Sequence, residues 1–231
     1  MFKSIFNKSF DFFVSKIVRT EESWLKEKIR NLYYREYVSE RILEYPLVFR
    51  YLNTKTGKVL DVGCRYSNLV MQLASLGYDT HGLDLEPYPY KHKNLEFVTG
   101  DIRKTDFSDN YFDYVTSIST IEHIGLGFYE ETKRRDFQGD RKALVEIKRI
   151  LKPKGQLIMT VPFGKWAVTD SSRIYTQTKL KKLLKGFKID ELQYFCEEDS
   201  YWVPCSMQKA AKVDSSIRAK AMAFVLATKV S

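Results

Sequence analysis

The stretch VLDVGCRYSNLVMQLA, from Val59 to Ala74, decides the fold because it joins an apolar strand, a tight turn and the start of a helix. Its apolar run ends at Gly63, and the apolar residues after the turn recur at helical spacing. A strand that enters a helix through a glycine turn places free backbone N–H groups and the positive helix end at the carboxyl edge of a sheet. Open α/β sheets bind ligands at that edge, so the stretch predicts a site for an anionic or zwitterionic ligand.

The chain beyond this stretch alternates between strand and helix patterns. We predict strands near residues 58–62, 79–84, 95–99, 111–118, 156–161, 187–194 and 222–229, and core helices near 67–76, 140–151 and 177–184. This alternation predicts an α/β fold with a doubly wound, Rossmann-like sheet of seven mostly parallel strands. The prolines and tyrosines of residues 87–90 predict a loop where a helix would usually follow the second strand.

A helical extension over residues 1–53 is predicted to precede the α/β domain, which we place at residues 54–231. Residues 1–20 carry apolar side chains at three- and four-residue spacing, with lysines and an arginine beside them. Such an amphipathic helix suits peripheral contact with a membrane surface, or packing against the domain or across a dimer. Packing is the preferred interpretation, and the oligomeric state stays open.

The composition sets limits on the class of protein. With 231 residues, 44% of them hydrophobic, the chain can bury a full core. Its three cysteines and three histidines lack the spacing of disulfide frameworks or zinc sites, so we expect a reducing compartment and no metal. The sequence has neither a secretory signal nor an apolar run of about 18 residues, which favours the cytoplasm, with the inner membrane surface as the alternative location.

The net charge of +9 is compatible with a nucleic-acid partner. However, lysine-rich composition more often produces a solvated surface, and the chain lacks an aromatic and basic RNA-binding motif. Nucleic acid is therefore not the favoured partner.

The glycine turn resembles motif I of the class I S-adenosylmethionine-dependent methyltransferases, in which an acidic residue precedes a G-x-G-x-G turn. Asp61, Gly63 and Cys64 match this motif, whereas Arg65 and Ser67 stand where the second and third glycines usually lie. The resemblance implies that these five residues bind S-adenosylmethionine, with S-adenosylhomocysteine as the product, and that the sheet has an antiparallel last strand. The Arg65 side chain would either crowd the site or pair with the cofactor carboxylate.

Further cofactor contacts are expected at the ends of the next strands. Asp84 ends the second strand about 20 residues after the turn, the spacing at which a carboxylate accepts hydrogen bonds from ribose hydroxyls, and Leu85 lies beside it. By resemblance, Asp101 contacts the adenine amino group and Ile102 packs on the ring. Ser119, at the end of the fourth strand, completes the predicted cofactor set.

The segment from Ser119 to Gly127 is expected to carry the chemistry because it follows a central strand next to the first. For a hydroxyl acceptor, His123 is the first candidate general base and Glu122 the second. Alternatively, His123 orders the loop, and Glu122 binds the cofactor or braces the loop. The candidate acceptor contacts are Trp166, Arg173, Tyr175 and Trp202.

A narrower resemblance comes from the phrases IEHIGLG and LKPKGQLIMTVPFG, together with the pair Gly139 and Asp140. They resemble methyltransferases of the type 11 group, including a subgroup associated with surface-polysaccharide and cell-envelope gene clusters. The leading prediction is therefore methyl transfer to a hydroxyl of a small molecule or a glycan precursor.

Two other functions stay open. The positive charge suggests an RNA or protein methyltransferase, although the Asn-Pro-Pro-Tyr type of motif used by many amino-methylating enzymes is absent. The two missing motif glycines suggest instead a catalytically silent domain that binds a partner. Cofactor binding separates the silent domain from both enzymes.

Overall fold

The computed structural model describes residues 38–52, 56–129 and 135–230, which fold around an eight-stranded sheet of order β3-β2-β1-β4-β5-β10-β8-β9. The principal strands are β1 (Lys58–Val62), β2 (Asp79–Asp84), β3 (Leu95–Thr99), β4 (Phe112–Ile118), β5 (Leu151–Pro162), β8 (Phe187–Glu198), β9 (Tyr201–Cys205) and β10 (Ala221–Lys229). Two short strands, β6 (Ala167–Val168) and β7 (Arg173–Ile174), form a separate antiparallel ribbon. The helices are α1 (Arg41–Tyr51), α2 (Leu69–Ser75), α3 (Gly139–Ile150), α4 (Gln177–Leu183) and α5 (Met207–Ala210).

The strand order confirms the predicted doubly wound fold. Strands β3, β2, β1, β4 and β5 are parallel, and β10 enters antiparallel between β5 and β8. The bounds of β1, β2 and β3 agree with the sequence prediction because each strand is bracketed by turn residues. The eighth strand, β9, was not predicted, since it lies within the segment 197–219 that showed no clear periodicity.

Helices cover both faces of the sheet, as the doubly wound pattern requires. On one face, Leu47 of α1 and Leu73 of α2 pack in a cluster with Phe224 of β10. On the other face, Leu144 of α3 and Leu183 of α4 belong to the larger core cluster. The predicted loop after β2 is confirmed, since residues 85–94 contain no helix.

The expectation about the cysteines was wrong. Cys196 and Cys205 form a disulfide across the β8–β9 hairpin, where their Cα atoms lie 5.9 Å apart. The sequence offered no motif for this pair because the contact depends on an unpredicted strand. Cys64 is a free, fully buried thiol, and burial raises its pKa.

The predictions about the N-terminal helix, membrane contact and metal binding can be compared with the described residues only. The amphipathic helix of residues 1–20 lies outside the described residues, as does most of the predicted extension. Within the described ranges, none of the helices has the length and apolarity to cross a bilayer. Over the same residues, no group of three or more histidine, cysteine, aspartate or glutamate side chains could hold a metal ion.

Candidate active site

The turn after β1 is built on one left-handed glycine. Gly63 has φ +76°, and its backbone N–H donates to the Leu83 carbonyl at 2.8 Å. A Cβ at this position would lie 2.4 Å from the side chain of Thr120, which follows β4. The turn and the loop after β4 therefore meet at a point that only glycine can occupy.

Asp61 is an internal carboxylate beneath this turn. Its side chain is only 2% exposed, and its Oδ1 accepts a hydrogen bond of 2.7 Å from the Thr116 hydroxyl. Its Oδ2 has no hydrogen-bond partner among the described residues. Burial raises the pKa of Asp61 to about 7, so the carboxylate would be stabilised by a cationic ligand group.

Arg65 leaves the turn open because its side chain folds onto the loop after β2. The guanidinium donates to the Pro87 carbonyl and lies 3.1 Å from Glu86. Its backbone N–H donates to Oδ2 of Asp84 at 2.9 Å, while the N–H of Glu86 donates to Oδ1 at 3.2 Å. Both oxygens of Asp84 keep a lone pair for another donor, and the carboxylate is held at the end of β2.

Cys64 and Ser67 support the turn from inside. Both are buried, and the Ser67 hydroxyl accepts the backbone N–H of Leu69 at 3.0 Å, where α2 begins. The same hydroxyl lies 2.9 Å from the Tyr45 hydroxyl of α1. These predicted cofactor residues therefore shape the turn and tie it to α1.

The residues expected to hold the base lie at the ends of β2 and β3. Asp101 forms a bidentate ion pair with Arg103, whose Nε lies 2.9 Å from Oδ2. Ile102 is only 5% exposed, whereas Leu85 is 42% exposed. Leu85 therefore offers more apolar surface to a flat ring than Ile102 does, and the carboxylate of Asp101 already has Arg103 as its partner.

The loop after β4 is fixed by a carboxylate from α1. Ser119 has φ +47°, and its hydroxyl donates to Oε1 of Glu44 at 2.6 Å. The Thr160 hydroxyl of β5 donates to the same oxygen at 2.6 Å, and accepts the Ser119 backbone N–H at 3.0 Å. Helix α1 thus reaches over the carboxyl ends of β4 and β5.

His123 and Glu122 lie together in the short helical turn Ile121–His123. The Nδ1 of His123 is hydrogen-bonded to the Ser171 carbonyl, so Nδ1 carries a proton and Nε2 is left with the lone pair in the neutral ring. Nε2 lies 3.7 Å from Oε1 of Glu122. Burial lowers the pKa of His123 and raises the pKa of Glu122, so both groups are favoured in their neutral forms.

Arg173 braces this loop from beneath. Its guanidinium is 3% exposed and donates to the carbonyls of Ile124 at 2.7 Å and Glu122 at 3.2 Å. Its Nε lies 3.6 Å from Asp140, which also accepts the Tyr175 hydroxyl at 2.9 Å. Arg173 and Tyr175 therefore support the loop from the interior, and both also line the groove beside Trp166, so their contact with an acceptor stays a prediction.

The two candidate tryptophans differ in how much of the side chain is exposed. Trp202 is buried and donates its indole N–H to the Val38 carbonyl, so it is also an interior residue. Trp166 is 44% exposed and lines a groove of about 180 Å³, with the Lys179 ammonium 4.4 Å from its ring centre. Of the four candidate acceptor contacts, Trp166 alone presents a large exposed face.

The pair Gly139 and Asp140 owes its place in the sequence to close packing. A Cβ on Gly125 would lie 2.2 Å from the Asp136 carbonyl oxygen, and one on Gly139 would lie 2.6 Å from the Ile124 carbonyl oxygen. The start of α3 therefore packs directly on the loop after β4. This contact explains the glycines at Gly125, within IEHIGLG, and at Gly139.

Sequence reasoning missed three residues of this site, Arg41, Glu44 and Thr160, and it gave no role to Thr120 within the predicted loop. Glu44 has no exposed surface, and Arg41 lies one helical turn before it, with Nε 3.7 Å from Oε2. No motif identifies Arg41 or Glu44, because α1 reaches the site through tertiary packing. A glutamate flanked by the apolar residues of an amphipathic helix would have been the one available signal.

The comparisons with known proteins agree on one class of domain. Residues 60–159 match the methyltransferase domain family. The chain is 29% identical over 164 residues to an uncharacterised protein of Methanocaldococcus jannaschii, covering 68% of this chain and 64% of that protein. It is 25% identical over 178 residues to the mitochondrial ubiquinone biosynthesis O-methyltransferase of Schizosaccharomyces pombe, covering 67% and 58% respectively. The chain thus spans less than two thirds of either relative.

A solved structure gives the same fold over most of the chain. The 1,6-didemethyltoxoflavin-N1-methyltransferase of Burkholderia thailandensis, solved with its substrate and S-adenosylhomocysteine, superposes with a TM-score of 0.63. It is 16% identical, and the match covers 95% of this chain and 88% of that chain. The likeness concerns the fold.

The residues present fit S-adenosylmethionine as the cofactor. The left-handed turn at Gly63 would let the backbone come close to a ligand, and Asp84 keeps free lone pairs where ribose hydroxyls would bind. The unpartnered Oδ2 of Asp61 would add negative charge beneath the bound cofactor. Bound there, the cofactor supplies an activated methyl group on its sulfonium.

Replacing Gly63 with Ala should lower the free energy of unfolding by about 3 kcal/mol or more, because a left-handed φ and a clash act together. Gly77→Ala is the matched control. Gly77 also has a positive φ, but nothing lies within 4 Å of its Cβ position, so we expect a loss of about 1 kcal/mol. Urea denaturation measures both values, and equal losses would contradict the packing of Gly63 on Thr120.

Replacing Arg173 with Lys should loosen the loop after β4, because lysine keeps the charge but cannot bridge two carbonyls with a planar fork. We expect faster amide hydrogen exchange at Ile124 and Leu126, and a loss of stability of about 2 kcal/mol. Arg141→Lys, at an exposed position of α3, is the control. Unchanged exchange in the Arg173 variant would show that the loop holds without this brace.

Proposed function

Because this chain belongs to the class I S-adenosylmethionine-dependent methyltransferases, we propose that it methylates a hydroxyl group of a small molecule or a glycan precursor. The observation that carries the proposal is the state of His123. Its protonated Nδ1 is held by the Ser171 carbonyl, and its Nε2 offers a lone pair in the loop after β4. Methylation of a hydroxyl requires a group that takes the hydroxyl proton.

The bound cofactor would supply the methyl group for an in-line displacement, in which the acceptor oxygen would take the methyl carbon and S-adenosylhomocysteine would be released. The hydroxyl proton passes to Nε2 of His123, which becomes an imidazolium. The pKa of His123 is lowered by burial, so the ring is neutral and ready to accept the proton near pH 7. The buried Glu122, whose pKa is raised, lies 3.7 Å from Nε2, so a neutral carboxyl group stands beside the nitrogen that takes up the proton.

The surroundings of His123 favour an acceptor with a ring. Tyr129 packs edge-on against the imidazole with a centroid distance of 5.1 Å, and its side chain is 55% exposed. Phe128, beside it, is 48% exposed. Exposed aromatic faces at a polar site suit a phenolic ring or a sugar.

The relatives support a small acceptor but leave the methylated atom open. The yeast relative is named as an O-methyltransferase of ubiquinone biosynthesis, and the Burkholderia enzyme as an N1-methyltransferase. The proposal that oxygen is the methylated atom therefore rests on His123. The association with cell-envelope glycans rests on the sequence resemblance.

The function is tested in two steps. Calorimetry with S-adenosylmethionine and S-adenosylhomocysteine should show micromolar binding, and methyl-labelled cofactor should then label a phenolic, sugar or nucleotide-sugar acceptor. A well-folded protein that binds neither cofactor form would favour the silent domain. Labelling of RNA or protein, without labelling of hydroxylated small molecules, would overturn the proposed acceptor class.

Replacing Asp84 with Ala should weaken S-adenosylhomocysteine binding by about 1 to 3 kcal/mol, because charged hydrogen bonds to the ribose hydroxyls are lost. Asp106→Ala removes an exposed carboxylate elsewhere and serves as the control. Calorimetry gives both affinities. Wild-type affinity in the Asp84 variant would exclude the ribose contact.

Replacing His123 with Gln should lower kcat by about 100-fold or more while S-adenosylhomocysteine binding stays unchanged, because glutamine cannot take the proton. In the wild type, kcat should fall as the pH drops through a value below 6.5, since the lowered pKa of His123 keeps the ring neutral above it. His92→Gln, in the loop after β2, is the control. A pH-independent kcat that His123→Gln leaves unchanged would remove His123 from the mechanism.

A further inference from the structure

Helix α1 is fixed over two neighbouring ligand-binding segments. The Tyr45 hydroxyl meets the Ser67 hydroxyl in the turn after β1, at 2.9 Å. At the neighbouring strand ends, Glu44 accepts hydrogen bonds from the hydroxyls of Ser119, after β4, and Thr160, near the end of β5. The helix therefore spans the space between the ends of β1 and β4.

The sheet order indicates which part of the cofactor lies under α1. The ribose contact at Asp84 is at the end of β2, and the glycine turn is at the end of the adjacent β1. An extended molecule that starts with its base near β3 and its ribose at β2 runs next over β1 and then toward β4. Its far end is an α-amino acid group, which carries one ammonium and one carboxylate.

Helix α1 offers one charge of each sign at this place. Oε2 of Glu44 is fully buried and has no hydrogen-bond partner among the described residues. The Arg41 guanidinium lies 3.7 Å from that oxygen and is 35% exposed, so part of it faces outward. Arg41 also acts on Asp61, where its charge opposes the rise in pKa that burial causes.

A buried, unpartnered carboxylate oxygen is costly in the unliganded protein. An ammonium has three N–H donors and would satisfy it. A guanidinium has a planar fork that matches a carboxylate. The two groups of the cofactor's amino acid end thus meet complementary partners at residues one helical turn apart.

We propose that Arg41 and Glu44 form a clamp for the amino acid end of the cofactor, in which Glu44 binds the α-ammonium group and Arg41 the α-carboxylate. The proposal rests on the proposed function, since it takes S-adenosylmethionine as the ligand. It gives α1 a role in cofactor recognition. The pair selects a zwitterion over a ligand that carries only one of the two groups.

Three ligands separate the contributions when their affinities are measured by calorimetry. S-Adenosylmethionine carries both groups, decarboxylated S-adenosylmethionine keeps the amine alone, and 5′-methylthioadenosine has neither. Glu44→Gln should weaken binding of the first two ligands by about 10-fold or more, with 5′-methylthioadenosine within about twofold of wild type. Arg41→Gln should weaken S-adenosylmethionine by about 5-fold or more, but leave the other two ligands within about twofold.

Arg50→Gln is the matched control, because it removes the same charge from an exposed position in the last turn of α1. All three affinities should match those of the wild type. Thermal unfolding of the ligand-free Glu44→Gln protein adds a readout of structure. Its unfolding temperature should equal or exceed that of the wild type, because a neutral amide replaces a buried carboxylate whose pKa is raised.

The outcomes are distinct. Equal loss of affinity for all three ligands, with a lower unfolding temperature, would show that the pair only supports the packing of α1 and would overturn the clamp. Wild-type affinity for S-adenosylmethionine in both variants would overturn it as well. A wild-type protein that binds none of the three ligands would instead overturn the proposed function.

Discussion

The contact between Gly63 and Thr120 is the constraint on which the site depends. Parallel pairing of β1 with β4 brings the turn after one strand against the loop after the other, and the space between them excludes even a Cβ atom. The position of the turn therefore determines the position of the loop. The predicted cofactor residues of the turn lie on one side of this contact, and Ser119 and the predicted base lie on the other, so the relative geometry of the two sides is set by the backbone.

Three buried carboxyl groups near this contact lower the stability of the folded protein. Asp61, Glu44 and Glu122 are almost fully buried, and each has one oxygen without a hydrogen-bond partner among the described residues. Burial raises the pKa of all three. Hydroxyl groups of Thr116, Ser119 and Thr160 hold the carboxylates of Asp61 and Glu44, and Arg173 holds the backbone carbonyl of Glu122. Such an arrangement sacrifices stability in the unliganded protein for a preorganised site.

Local pattern predicted most of the sheet but little of the tertiary support of the site. β1, β2 and β3 could be placed from sequence because short apolar runs between turn residues fix their ends. The turn at Gly63 and the carboxylate of Asp84 followed from spacing along one chain segment. Glu44 could not be predicted, because its partners Ser119 and Thr160 lie 75 and 116 residues away. Arg173 looked like a surface contact because its sequence neighbours carry no sign that it is buried.

The conformation of Arg65 changes what a glycine-rich motif should be taken to require. Within the turn, the left-handed φ is confined to Gly63, so the position of Arg65 needs no glycine for its backbone. Its backbone N–H donates to the Asp84 carboxylate at the end of β2, and its side chain points away from the turn and donates to the Pro87 carbonyl. The residue at the second glycine position of the motif must donate its backbone N–H to the carboxylate at the end of β2. Its side chain, if it has one, must have room to point away from the site. A sequence pattern that requires glycine at this position selects for the lack of a side chain. It would miss every protein in which the residue there keeps the same backbone N–H hydrogen bond and points its side chain away from the site.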